Sequence, residues 1–540
     1  MWRNESLYLK PDVLLEPLFN QWYAWPYLIA PASAAMYVAN QHLKLMQSFV
    51  AAPQTHQAAL RNPALLGGPF LNCDPRHAPE VKSLWERTIK EQQPLLALAE
   101  SIRALDQLLD EEALGLSLSP LYARVPEPLR GCVELVYDAN HRPSARLIEG
   151  LLYQSQYYNP AAQSLLLWRA AQDARSFVFS TPRLPETRQL QLSLPFAHAG
   201  LDELFKMRRT PQRHGFIKEQ LAIPDTDDEL FADLFTDAPP PPPASYQGAG
   251  VRIRYFGHAC LLIETAEVSL LCDPAISYGG APDIERFTFA DLPARLDYVL
   301  ITHNHQDHCL LETLLQLRPQ IGTLVVPKNN GGSLVDPSLK LALRQIGFRN
   351  VIELDEMESL EMSGGQIIGV PFLGEHADLG IRSKLAYWIA VKGQRLLCVA
   401  DSENLEPKLY ERIANVLGPA DVLFVGMECD GAPLSWLYGA LLTKPLSRKM
   451  DQTRRSNGSD FLQAQALVEQ LSPTQVYVYA MGQEPWLTYL TSLRYTPTSR
   501  PIVESNQLID ACRQRGVTAE RLYGQKEIHL PPRTSRKEDK

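Results

Sequence analysis

Leu95, Leu98, Ile102, Leu105 and Leu109 recur at three- and four-residue intervals, which places them on one stripe of a helix that must bury against a neighbour. Residues 34–50 and 145–153 also read as helix, while 189–194 alternates polar and apolar positions as a strand does. Past residue 250 the pattern changes to short β-rich runs at 251–256, 260–264, 268–272, 298–302, 323–327, 388–391, 396–400, 422–426 and 476–479. Helical stretches at 310–317, 336–346 and 461–471 alternate with them. Strands interleaved with helices, with polar residues at the strand ends, predict an α/β fold of two sheets flanked by helices. No internal repeat of fixed short period is visible.

Five consecutive prolines, Pro239 to Pro243, followed by a Gly- and Ala-containing stretch to Gly250, cannot form helix or sheet interior. The chain is therefore divided into a mixed, helix-rich N-terminal domain (1–238), a Pro-rich linker (239–250) and a second domain (251–540). A length of 540 residues fits two or more units, and 45% apolar residues supply a sizeable core. The net charge of −9 disfavours nonspecific attraction to nucleic acid or anionic lipid, so neither is expected as a partner. The eight cysteines include no CxxC pair and sit mostly in apolar runs, as reduced structural thiols do. Asp12 and Glu16 fall where a signal peptide would be apolar, and the run 25–39 is broken by Pro26 and Pro31, so a cytoplasmic protein is expected.

Chemistry concentrates in Thr302-His303-Asn304-His305-Gln306-Asp307-His308, directly after the apolar run 296–301. If the segment is extended, His303 and His305 point the same way and converge on one ion, while Asp307 and His308 reach a second. Imidazoles offer lone pairs near neutral pH, and the carboxylate offsets the charge of two divalent ions. A polar loop rich in histidine by chance is the competing reading, and it leaves the clustering unexplained. Asp401, at the end of the apolar run 396–400, is a candidate bridge between the metals; capping is its alternative. A further ligand is sought in 371–378, where Glu375 and His376 compete, since neighbours in an extended segment diverge. Beyond Asp401 the one histidine is His529. Glu428 and Asp430 end another apolar run and are candidates to orient ligands or water from outside the metal shell, as is His258. The histidines of residues 1–238 are isolated and read as core or surface residues.

Gly257-His258-Ala259-Cys260, Leu271-Cys272-Asp273-Pro274 and the His303/His305/Asp307/His308 motif together resemble the metallo-β-lactamase fold, over residues 251 to about 500. That resemblance implies an αβ/βα sandwich with one or two metals at its edge. Hydrolases of this fold add a final histidine where Tyr479-Ala480-Met481-Gly482-Gln483 stands here. This departure, with the segments 374–376, 426–433 and 482–486, resembles a narrower group: the CmlA-type β-hydroxylases of antibiotic biosynthesis, similar over nearly the whole chain.

The narrower resemblance implies a non-haem diiron centre that uses O2 and external electrons. It implies His303, His305 and Glu375 on one iron, Asp307 and His308 on the other, and Asp401 between. It also implies a substrate amino acid held as a thioester on the carrier domain of a nonribosomal peptide synthetase, hydroxylated at its β-carbon, and an N-terminal domain that serves dimerisation. Three imidazoles with three carboxylates form a harder, more oxygen-rich set than zinc hydrolysis favours, which points the same way. The alternative enzyme is a dinuclear zinc hydrolase of a lactone, thioester or phosphodiester with His376 as ligand; a non-catalytic partner of an assembly line is a third reading. Lys444, Arg448, Lys449, Arg454 and Arg455 form a basic cluster suited either to an acidic carrier or to solvent.

Overall fold

Apolar runs covered on both faces are what a sandwich of sheets between helices requires, and the chain builds one. The computed structural model describes residues 5–533 except 63, 64, 66, 67, 171, 244, 281 and 282. Two seven-stranded sheets form after residue 250. Across the first run Val351–Leu354, Ile321–Pro327, Leu296–Leu300, Ser269–Cys272, Leu261–Glu264, Val251–Tyr255 and Lys526–Leu530; the first four are parallel. Across the second run Ser359–Met362, Gly365–Pro371, Leu385–Val391, Gln394–Cys398, Val422–Gly426, Gln475–Tyr479 and Thr518–Arg521; the last four are parallel.

Side-chain alternation sorts each strand between layers. Val251, Ile253, Tyr255, Leu300 and Val325 of the first sheet meet Tyr387, Ile389, Leu396, Cys398 and Phe424 of the second in one buried layer. On the outer face of the second sheet, Trp388, Leu397, Leu423 and Val476 pack beneath the helices Pro407–Leu417, Phe461–Leu471 and Arg500–Gln514. On the outer face of the first, Leu262, Leu271, Val299 and Leu324 join a core that continues into the N-terminal residues.

Local structure departs from expectation in three places. Residues 145–153 do not form one helix: Pro143–Leu147 pairs with Val133–Tyr137 as a hairpin, and only Glu149–Tyr153 is helical. The chain leaves its strand at Leu300 rather than at 302, because the Thr302 N–H is taken by the Asp273 carboxylate at 2.8 Å instead of a neighbouring strand. The N-terminal part also contains an antiparallel sheet ordered Trp22–Tyr23, Val13–Phe19, Gln163–Arg169, Leu190–Leu192. Glu16 and Pro17 hide the second of these strands from periodicity analysis. The predicted amphipathic helix is present as Gln93–Glu112, with Leu95, Leu98, Ile102, Leu105 and Leu109 buried.

Glu16 is buried because it belongs to an ionic knot. Arg175 Nη2 lies 2.5 Å from Glu16 and 2.8 Å from Glu312, and Arg183 Nε lies 2.5 Å from Glu16. Glu312 also accepts the hydroxyls of Tyr23 at 2.9 Å, Tyr278 at 2.5 Å and Tyr489 at 3.1 Å. Residues from the N-terminal part, the first sheet's surroundings and the C-terminal third thus close on one carboxylate. Burial alone would raise the Glu16 carboxyl, but the Arg183 and Arg175 guanidiniums reverse this and hold it at about 2, down from 4.5. A folded carboxyl held below its unfolded value contributes stability that is complete above about pH 4.5 and is lost as pH falls toward 2. Arg175→Ala, which strands two buried carboxylates, is expected to lower unfolding free energy by about 3–5 kcal/mol. Urea titration monitored by circular dichroism measures this, and a loss below 1 kcal/mol would show the knot to be dispensable.

Candidate metal centre

Parallel strands place their following loops at one sheet end, and the functional side chains collect there. The 302–308 loop follows Leu296–Leu300, Asp273 follows Ser269–Cys272, Asp401 follows Gln394–Cys398 and Glu428 follows Val422–Gly426. Left-handed backbone recurs around them, at His258 (φ 53°), Asp273 (38°), Glu375 (62°), Ala400 (47°) and Ala480 (54°). Non-glycine residues rarely adopt this conformation, and their gathering at a pocket is the pattern of strain held for function.

Three sets of ligand atoms lie close enough to share ions: His303, His305 and Glu375; His303, His308 and Asp401; and His258, Asp307 and His308. The His303 and His305 rings stand 4.7 Å apart, though the loop turns rather than running extended, with the His308 N–H donating to the His305 carbonyl. Glu375 Oε1 is 2.7 Å from His305 Nδ1, and Oε2 is 3.7 Å from His303 Nε2. His308 Nε2 is 3.0 Å from Asp401 Oδ2.

Whether these residues suit metal ions is decided by where each imidazole keeps its proton. The Thr302 hydroxyl donates to Asp273 at 2.6 Å and lies 3.0 Å from His303 Nδ1, so it accepts the ring's outer N–H. Asp273 Oδ2 accepts from His308 Nδ1 at 2.8 Å. The Tyr438 hydroxyl takes His305 Nε2 at 2.5 Å. The other nitrogens, His303 Nε2, His305 Nδ1 and His308 Nε2, face inward; the last two meet the Glu375 and Asp401 carboxylates as N–H donors and would yield those protons to an ion, with the outer contacts holding each ring as in metal-binding histidines. His258 Nε2, His303 Nε2, His376 Nε2, Glu375 Oε2 and Asp401 Oδ1 are buried without a hydrogen-bond partner. Buried polar atoms are normally paired, so converging orphans of this kind fit an ion. His258 is the exception: its Nδ1 accepts the Gly482 N–H at 3.2 Å, which leaves the proton on Nε2, 3.3 Å from Asp307 Oδ2. It qualifies as a ligand by distance, and its Nε2 stands beside the Asp307 carboxylate as a close ionic neighbour.

Electrostatics favour neutral imidazole at His303 and charged acids around it, but at His308 burial is overridden by the Asp401, Asp273 and Asp307 carboxylates, which hold the ring well above the ordinary histidine range, so an ion would have to displace its proton. Burial, with the neighbouring His308, His305 and His376, drives His303 well below the ordinary histidine range, so its ring is neutral. Burial works against charge on Glu375 and Asp307, but His305 and His376 outweigh it at Glu375, held at about 2, and His308 and His258 outweigh it at Asp307. Asp401, by contrast, is raised by its burial.

The expectation that one of Glu375 and His376 must point away rested on an extended chain. With Gly374 and Glu375 both left-handed, the chain turns and both side chains face the cluster. Glu375 joins the three-residue ligand set, whereas His376 stacks on His305 (4.6 Å, 27°) with Nδ1 2.9 Å from Glu375 Oε2. His376 supports the carboxylate. Glu428 lies outside all three sets, on the wall of the cavity that opens onto them.

That cavity, about 940 Å³, is lined by Asn40, Gln41, Lys44 and Leu45 of the N-terminal part together with Trp436, Leu437 and Ser492. Sequence reasoning missed the lining residues and Tyr438, which carry no local signal. Asp273 had one, a charged residue ending an apolar strand. The basic cluster is partly spent within the chain: Lys444 pairs with Asp110, and Arg454 and Arg455 donate to the carbonyls of Ala377, Asp430 and Gly431. Arg448 and Lys449 are exposed. Among the described residues, no helix is long and apolar enough to cross a membrane.

Comparison with known proteins adds an independent line. The "diiron non-heme beta-hydroxylase N-terminal domain" family matches residues 8–239, and the "beta-lactamase superfamily domain" family matches 252–431. The 4-amino-L-phenylalanyl-[CmlP-peptidyl-carrier-protein] 3-hydroxylase of Streptomyces venezuelae is 38% identical over 532 residues, covering 97% of this chain and 99% of that one. The crystal structure of CmlA, a diiron beta-hydroxylase from Streptomyces venezuelae, superposes with a TM-score of 0.91 at 37% identity, covering 98% of this chain and 100% of that one. A Glu-to-Asp variant of CmlA gives 0.89 at 37% identity, covering 97% and 100%. Likeness of this extent, over a metallo-β-lactamase fold and a cluster suited to paired metals, means that the chain belongs to the CmlA-type family of non-haem diiron β-hydroxylases.

Proposed function

We propose that this enzyme hydroxylates the β-carbon of an amino acid held as a thioester on a peptidyl carrier domain, in the cytoplasm, as one step of antibiotic biosynthesis. The supporting observation is a carboxylate, Glu375, completing the set formed by His303 and His305. In this reading His303, His305 and Glu375 hold one iron, Asp307 and His308 the other, and Asp401 lies between. When bound, the iron pair supplies the oxidising power that hydrolytic zinc lacks. Of the O2 consumed, one atom enters the C–H bond and the other leaves as water, with two electrons and two protons from an external donor.

The chain's own residues position and shield. Asp273, Thr302 and Tyr438 hold the outer nitrogens of the three imidazoles, fixing ring tautomer and angle. His258 steadies Asp307. The cavity leaves room for a substrate delivered on a flexible arm, and the exposed Arg448 and Lys449 are available to an acidic carrier. None of the eight cysteines forms a disulfide, in keeping with a reducing compartment. The Pro-rich stretch 239–250 is proposed as the junction of two domains, the first of which mediates a homodimer.

Metal analysis of anaerobically prepared protein should give two irons per chain with an optical spectrum that bleaches on reduction. Mass spectrometry of an aminoacyl carrier should then show the addition of one oxygen; bound zinc with thioester hydrolysis would replace this reading by the hydrolase. Glu375→Ala should abolish hydroxylation and lower iron content, while His376→Ala should retain at least one iron. The reverse pattern would exchange the two roles. Light scattering on the full chain should return twice the monomer mass, and a monomer would remove the dimer.

A further inference from the structure

Four carboxylates face the cavity: Asp307, Glu375, Asp401 and Glu428. The first three belong to the ligand sets; Glu428 does not. It follows Val422–Gly426 just as Asp401 follows the parallel neighbour Gln394–Cys398, so the two acids stand side by side at one sheet end. Its Oε2 accepts the Gly431 N–H at 2.7 Å and its Oε1 the Tyr495 hydroxyl at 3.3 Å. A carboxylate oxygen has two acceptor directions, so each keeps one open. Among the described residues no Lys or Arg pairs with it: Arg455 is spent on the Asp430 and Gly431 carbonyls, and Arg500 on the Cys429 carbonyl and on Asp430, Asp460 and Glu504.

An amino acid bound as a thioester has given up its carboxylate, and the charge common to all such substrates is the α-ammonium. That nitrogen is two bonds, roughly 2.5 Å, from the β-carbon, by ordinary N–Cα and Cα–C bond lengths. Wherever the β-C–H bond meets the cluster, the ammonium is inside the same chamber, where a buried anionic partner that the metals have not claimed would hold it.

We propose that Glu428 is that partner: it binds the α-ammonium of the tethered aminoacyl substrate and so sets which face of the β-carbon is presented. The proposal rests on the β-hydroxylase reading. Burial, with Asp430 and Asp401 adding their charge, pushes the Glu428 carboxyl up to about 7, and a cation brought alongside relieves that burden. An N-acylated residue has no charge at this nitrogen, so hydroxylation precedes the amide-forming step that would consume it.

The test uses the iron-loaded full chain with an external reductant. Carrier domains bearing each common amino acid, or 4-amino-L-phenylalanine, are offered first. The best substrate is then compared with its desamino counterpart, in which hydrogen replaces the ammonium. Wild type should prefer the aminoacyl carrier by about 100-fold in kcat/KM, the scale of a buried charge pair losing one partner. Glu428→Gln should shrink that preference to less than about 10-fold, chiefly through the aminoacyl carrier, while keeping its iron content and melting temperature; Glu428→Asp should recover part of it. An undiminished preference in an iron-replete Glu428→Gln protein overturns the anchor and leaves the hydroxylase standing. Equal use of both carriers by wild type overturns it whatever the variants do. If no aminoacyl carrier is hydroxylated at all, the underlying reading falls and the anchor with it.

Discussion

The structure turns on placing carboxylates and imidazoles together where water is scarce. His303 and His308 are 0% exposed, and the side chains of Glu375, Asp401 and Asp307 only 6%, 15% and 17%. Buried acids of this density repel one another and lack solvent, so the arrangement is stable when cations neutralise it. The surrounding residues read as consequences of that demand. Thr302, Asp273 and Tyr438 occupy the outer nitrogens so that the inner ones face the cluster. Left-handed backbone at Asp273, Glu375 and Ala400 aims side chains that a regular strand end would send elsewhere.

The pocket is a joint product of both parts of the chain. The second sheet supplies Asp401 and Glu428, the first supplies the histidine loop, and the N-terminal helices form part of the cavity wall. The knot around Glu312 and Arg175 holds these parts in register, because its members come from all of them and satisfy one another only when all are present. A buried ion network of this kind adds little to stability over an apolar replacement, but it penalises any arrangement that leaves a member unpaired.

Against the hydrolases that share the fold, the difference lies in what fills a few positions at one sheet end. Where a final histidine ligand is expected, the backbone N–H of Gly482 instead donates to His258 Nδ1 and fixes that ring. Glu375 faces His303 and His305, with His376 stacked behind it. Oxygen-rich ligand sets suit iron and tolerate its higher oxidation state, which is how a scaffold associated with water chemistry serves oxygen chemistry.

How much of this was legible beforehand depends on the range of the interactions involved. Apolar periodicity located most strands of the two sheets and the helix Gln93–Glu112, because burial on a face is written into the order of residues. The histidine motif and Asp401 were legible for the same reason: charged residues ending apolar strands are a local anomaly. Strand Val13–Phe19 was not, since the Glu16 charge is cancelled by Arg175 and Arg183, far along the chain. Nor could residue order alone settle Glu375 against His376, because a turn built on two left-handed residues lets both face inward. Tyr438, the cavity wall from the N-terminal helices and the open acceptor directions of Glu428 arise from contacts between distant segments. Sheets, metal chemistry and ligand candidates follow from residue order; ring partners, ligand sets and chamber come from folding, because they depend on which distant groups meet.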